Sequence, residues 1–75
     1  MTREEQLAMT ARRLRELRGR KTLQEVHDAT GIEVSTLGNY EQGIRIPTDD
    51  NKRILARYYG KTVDDIFFTS EVHSS

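Results

Sequence analysis

The stretch TLQEVHDATGIEVSTLGNYEQG, residues 22–43, reads as two short helices joined by a tight turn. Thr22 followed three residues later by Glu25 is a capping box, in which hydroxyl and carboxylate each satisfy an otherwise orphaned backbone N–H. The helix it opens should carry Val26, Ala29 and Leu23 inward and stop at Gly31. Gly31 lets the chain reverse without a Cβ clash, and Ile32 is placed to drop between the two helices. The second helix then starts near Glu33 or Val34, buries Leu37 and Tyr40, and ends at Gly43.

The same grammar extends to both sides. Upstream, Thr2-Arg3-Glu4-Glu5 is a second capping box, and Leu7, Thr10/Ala11, Leu14 and Leu17 recur at three- and four-residue spacing. This predicts an amphipathic helix from about Arg3 to Arg18, closed by Gly19 in a left-handed conformation. Downstream, Pro47 bars a helix through Gly43–Pro47. Thr48 can cap a helix with Asp49 and Asp50 in its first turn; it carries Ile54, Leu55, Tyr58 and Tyr59 to Gly60. Thr62 caps a last short helix from Val63 to about Phe68. The expectation is a compact, all-α, five-helix domain over residues 1–68, with a flexible tail over 69–75.

Composition narrows the functional classes. Seventy-five residues make one small domain, and the absence of cysteine removes disulfides and thiolate metal sites. Apolar runs such as Ile54–Ala56 and Ile66–Phe68 reach only three residues, far below the ~20 residues of a membrane span. A soluble, cytoplasmic protein with no membrane association is therefore expected. Catalysis is not: His27 and His73 are the only histidines, and no nucleophile–base or metal-ligand spacing occurs. Asp49/Asp50 and Asp64/Asp65 read as first-turn residues that complement helix dipoles. No cofactor, metal or small-molecule substrate is indicated. The formal net charge is zero, yet Arg3, Arg12, Arg13, Arg15, Arg18, Arg20 and Lys21 gather in the first 21 residues. They can form one basic face, or simply a solvated one.

Two short helices about a glycine turn form a helix-turn-helix, whose second helix can enter a major groove about 12 Å wide. Beyond this motif, Thr10–Phe68 resembles the phage-repressor-like DNA-binding domains of the lambda-repressor/Cro or XRE type. The resemblance rests on TARRLRELR at 10–18, TLQEV at 22–26, Gly31-Ile32, Ser35-Thr36-Leu37, Asn39-Tyr40, EQGIRIP at 41–47 and GKTVDDIF at 60–67. It implies a transcriptional regulator, most simply a repressor, that binds double-stranded DNA as a homodimer.

By position, the resemblance implies that Val34, Ser35, Thr36, Gly38 and Asn39 face the bases. Asn39 suits adenine N6/N7 and Val34 a thymine methyl; the hydroxyls of Ser35 and Thr36 suit bases, phosphates or a local helix-start bond. Gly38 in mid-helix costs about 1 kcal/mol against alanine, which either permits close approach of DNA or is merely tolerated. Phosphates would be held by Arg45 with the N–H groups around Gly43, and by the opening of the second helix at Thr22, Leu23 and Gln24. Arg18 is expected to pair with Glu41. Phe68 either joins an apolar interface with Ile66 or Val72, or caps its own core.

Several residues depart from the family pattern. Leu23 replaces an expected glutamine, Glu33 is a poor cap, and Lys52 stands at a usually aliphatic position. The link between the first two helices is short. His27 reads as a partly buried histidine with one hydrogen bond. The neutral balance and the absence of Lys or Arg from the second helix of the pair leave an alternative open: a protein-interaction module of this fold, such as an antirepressor, adaptor or antitoxin-like partner.

Overall fold

A computed structural model describes residues 2–68 of the chain. Among them are five helices and no strand: α1 (Arg3–Arg18), α2 (Leu23–Thr30), α3 (Val34–Glu41), α4 (Asp49–Tyr59) and α5 (Asp64–Phe68). The all-α architecture is as expected; the tail over 69–75 lies outside the described residues.

Side-chain caps set most of the boundaries. At α1 the Thr2 hydroxyl accepts from the Glu5 amide (3.1 Å) while the Glu5 carboxylate accepts from the Thr2 amide (2.9 Å). Thr22 and Glu25 repeat the arrangement at α2. Thr48 caps α4 through the Asn51 amide, and Thr62 caps the last helix through that of Asp65. Each such cap contributes roughly 1 kcal/mol. Glu33, at the head of α3, makes no side-chain cap bond.

Three local features differ from the sequence-based expectation. Gly19 has φ 55° and ψ −121°: φ is positive, but ψ lies outside the left-handed helical well. Helix α3 ends at Glu41, two residues before Gly43, because the amides of Gly43 and Ile44 turn back to the carbonyls of Tyr40 and Asn39. The last helix is a wide π-type turn over Asp64–Phe68.

The core is shared by all five helices. Leu14, Val26, Ile32, Leu37, Tyr40, Leu55, Ala56, Ile66 and Phe67 form one buried cluster, edged by Leu17, Leu23, Tyr58, Tyr59 and Val63. Phe67 and Val26 are completely enclosed, and truncating such a phenylalanine typically costs 3–5 kcal/mol. Helix α1 packs on α3 and α5, and α2 packs on α3 and α4. Two expected core residues are instead exposed: Ala29 faces out from the end of α2 and Ile54 from α4. Helical phase explains it, since burying Leu55 and Ala56 rotates Ile54 to the rim. Met9 and Ala56 take core positions outside the expected apolar stripes.

Three polar residues are buried: Thr10, Lys52 and, at the end of α3, Glu41. The Thr10 hydroxyl has no partner among the described residues. Lys52, 9 % exposed, occupies its aliphatic position by laying its stem along the core, with Nζ 4.6 Å from the Phe68 ring centroid and 5.8 Å from that of Phe67. The ammonium is thereby kept against electron-rich ring faces.

Candidate nucleic-acid interface

The turn between α2 and α3 sets the direction of everything beyond it. Gly31 has φ 80° and ψ 0°, the left-handed conformation that only glycine adopts cheaply. Ile32 follows and is buried, pinning the turn to the core. His27 adds a second tie: its Nδ1 donates to the Ile32 carbonyl at 2.8 Å, so this ring is the singly bonded, partly buried histidine that was expected. Thr30 completes the turn, donating to the Val26 carbonyl and accepting from the Ile32 amide.

From this turn α3 departs with two unlike sides. Leu37, Tyr40 and Glu41 are buried. Val34 and Ser35 are exposed, and Thr36, Gly38 and Asn39 are half-exposed. The side chains of Ser35, Thr36 and Asn39 make no hydrogen bond to any described residue. A polar face without internal partners, carried on a rigid helix, is competent to bond groups on another molecule. Nothing inside the domain requires glycine at 38: a Cβ there would sit 3.9 Å from Leu23 Cδ1, an ordinary contact.

The far end of α3 is anchored instead. Arg18 Nε donates to both carboxylate oxygens of Glu41, at 3.0 and 2.8 Å, and its Nη1 donates to the Lys21 carbonyl. Arg15 donates to the Glu41 carbonyl. The Arg18–Glu41 pairing expected from the resemblance is therefore present, with Glu41 the more enclosed partner at 10 % side-chain exposure against 25 %. Hydrogen bonding to Glu41 raises the Arg18 pKa. The neighbouring Tyr59 hydroxyl is pushed up to about 12, by burial first and then by the Glu41 charge. Tyr40 is held from the other side, its oxygen accepting from Asn51 Nδ2 of α4 at 2.8 Å.

The residues expected to hold phosphates divide. At the opening of α2, the Thr22 amide and hydroxyl are taken by the capping box. The amides of Leu23 and Gln24 have no partner among the described residues, as the first positions of a helix must unless something outside it accepts them. The Leu23 side chain packs on the core, and the Gln24 side-chain amide donates to Asp28 Oδ1; these two residues thus offer backbone, not side chains. At the other site the Arg45 side chain is exposed and unpaired among the described residues. The amides of Gly43, Ile44 and Arg45 donate internally, to Tyr40 and twice to Asn39. The assistance expected from N–H groups around Gly43 is therefore spent on closing the helix, and Arg45 must act through its guanidinium.

The basic first helix also divides. Arg15 and Arg18 tie down α3, while Arg13 donates to the carbonyls of Asp65 and Ile66 in α5. These three are fastenings, a role that residue spacing alone did not reveal. Arg3, Arg12, Arg20 and Lys21 are exposed. Among the described residues no cluster of His, Asp or Glu is arranged to hold a metal, and no helix is long and apolar enough to cross a membrane.

A family model described as a helix-turn-helix domain matches residues 6–66, from within α1 into α5. No curated protein and no solved structure gives a significant match. The matched segment contains the α2–turn–α3 unit, its fastenings and its open polar face, in agreement with the XRE-type resemblance. The chain belongs to the helix-turn-helix domain family, which points to DNA binding.

Proposed function

We propose that this protein binds double-stranded DNA sequence-specifically as a homodimer in the cytoplasm and acts as a transcriptional repressor. The observation that carries the proposal is the outward side of α3: Val34 and Ser35 are exposed, Thr36, Gly38 and Asn39 half-exposed, and the side-chain polar groups of Ser35, Thr36 and Asn39 have no partner among the described residues. Laid in the major groove, this side puts Asn39 within reach of base edges. We assign Arg45 beyond the helix, and the amides of Leu23 and Gln24 behind the Thr22 cap, to the flanking phosphates. Phosphate contacts of this kind set register, while the α3 side chains supply sequence preference.

One domain of this size covers a short stretch of DNA, and a two-fold dimer on half-sites one helical turn apart extends it. Phe68, 51 % exposed at the end of α5, is the residue we assign to the shared surface. Replacing it with serine should convert a sedimenting dimer to monomer; equal masses would remove it from the interface.

One observation favours the rival reading, a protein-interaction module of the same fold. Arg13, Arg15 and Arg18 are committed internally, which thins the basic surface available to a polyanion. Titration of random and operator-like duplexes at several salt concentrations separates the two. DNA binding requires log K to fall with log salt at a slope near −0.9 per phosphate neutralised. No binding at low salt would leave the interaction module.

A further inference from the structure

If α3 reads DNA as proposed above, the side chains it presents also constrain which bases it reads. Its open side carries an isopropyl group at Val34, hydroxyls at Ser35 and Thr36, bare backbone at Gly38 and a carboxamide at Asn39; α3 holds no guanidinium or ammonium. At the leading end, Glu33 is exposed, makes no capping bond and has no ion-pair partner among the described residues. The leading residues of a recognition helix are those that reach base edges.

The major-groove edges differ in what they ask for. Guanine shows two acceptors, N7 and O6, and is best met by a cationic double donor. Adenine shows N7 beside an amino group, which a carboxamide matches in both directions, and thymine shows a methyl. Asn39 therefore fits adenine and Val34 fits thymine, while the guanine edge has no charged double donor on this helix. An ionised carboxylate only accepts. Glu33 can receive a hydrogen bond from an exocyclic amino group, but against guanine it sets acceptor on acceptor, and discrimination by such a mismatch is as effective as an added attraction.

We propose that α3 selects half-sites rich in A·T pairs through Asn39 on adenine and Val34 on thymine, and that Glu33 at the leading position accepts from an adenine or cytosine amino group and excludes guanine from the strand it faces. The same acid that weakens the hold on phosphates thus sharpens the choice of sequence.

Selection of bound duplexes from a random pool, run with the wild type, Asn39→Ala and Glu33→Gln, tests this. The wild type should enrich an A·T-rich half-site. Asn39→Ala should lose one adenine from the consensus and bind the selected site roughly 5- to 150-fold more weakly, the range for one bidentate base contact. Glu33→Gln should admit guanine at a single position, because a carboxamide can donate to O6 or N7. Neither side chain makes a hydrogen bond to a described residue, so both variants should melt with the wild type. A consensus dominated by G·C pairs overturns the proposal. So does a Glu33→Gln protein that binds every duplex more tightly without a new base preference, the signature of simple phosphate repulsion. A wild type that binds no duplex at low salt instead refutes the DNA reading itself, an outcome distinct from binding the wrong bases.

Discussion

Asn39 and Glu41 are two residues apart on one helix, yet they serve opposite ends. The Glu41 carboxylate is enclosed and receives two hydrogen bonds from Arg18, and its carbonyl receives another from Arg15. The Asn39 side chain is half-exposed and bonded to no described residue. The difference arises from helical phase: 200° of rotation separates positions i and i+2, so one points at α1 and the other away from it. Polar groups satisfied within the fold contribute stability, and those left unsatisfied at its surface are available for recognition. A variant that confuses the two roles would break the comparison; one that separates them would sharpen it.

The largest effect should come from the anchored end. Glu41→Ala leaves Arg18 without its counter-charge, which costs about 3 kcal/mol, the lower limit for a broken buried pair because Arg18 keeps some solvent. In a domain of this length that lowers the melting temperature by roughly 12–24 °C. A thermal melt indistinguishable from wild type would show that the corner is ornamental. Next, Arg45→Ala should leave the melt unchanged while removing one charge-assisted hydrogen bond to phosphate, about 1.5 kcal/mol or tenfold in affinity. The loss should be uniform across duplexes and lower the salt slope by about one; a sequence-dependent loss would move Arg45 from strand to bases.

Gly38→Ala sharpens the comparison within a single residue. The added methyl finds ordinary space beside Leu23, and exchanging glycine for alanine in a helix interior stabilises by up to about 1 kcal/mol. If DNA approaches the backbone there, the variant melts higher and binds more weakly. Higher stability with undiminished binding would mean that glycine at 38 is only tolerated.

The smallest effect at neutral pH concerns Tyr59. Its folded pKa of about 12 lies above the ordinary 10.0, so between these values the native state holds a proton that the unfolded chain has released. Stability must then fall as pH rises through that window. Alkaline unfolding curves of wild type and Tyr59→Phe should converge below pH 10, with the phenylalanine variant losing less stability above it. Parallel curves would exclude Tyr59 as the titrating group.

Much of this was legible beforehand because it is written locally. The cap pairs Thr2/Glu5 and Thr22/Glu25, the stops at Gly31 and Gly60 and the burial of Leu37 and Tyr40 follow from residue types and spacings of a few positions, and the structure has each of these. The Arg18–Glu41 pair, 23 residues apart, was reached only through family resemblance. What escaped was set by rotation and by long reach. Ala29 and Ile54 faced the rim once their neighbours filled the core. Arg13 and Arg15, which read as part of a basic or simply solvated face, found backbone carbonyls 26 to 53 residues away. The amides around Gly43 closed a helix that residue type alone suggested would run further.

The sequence on its own determined which segments are helical, where they begin, and which residue types line the outward side of α3, because caps, breakers and apolar periodicity act over a few bonds. Only the tertiary structure decided which charges are fastenings and which remain free. A long arginine reaches whatever acceptor packing brings near it, and that acceptor's position depends on how five helices settle around Phe67 and Val26, not on any neighbour in the chain.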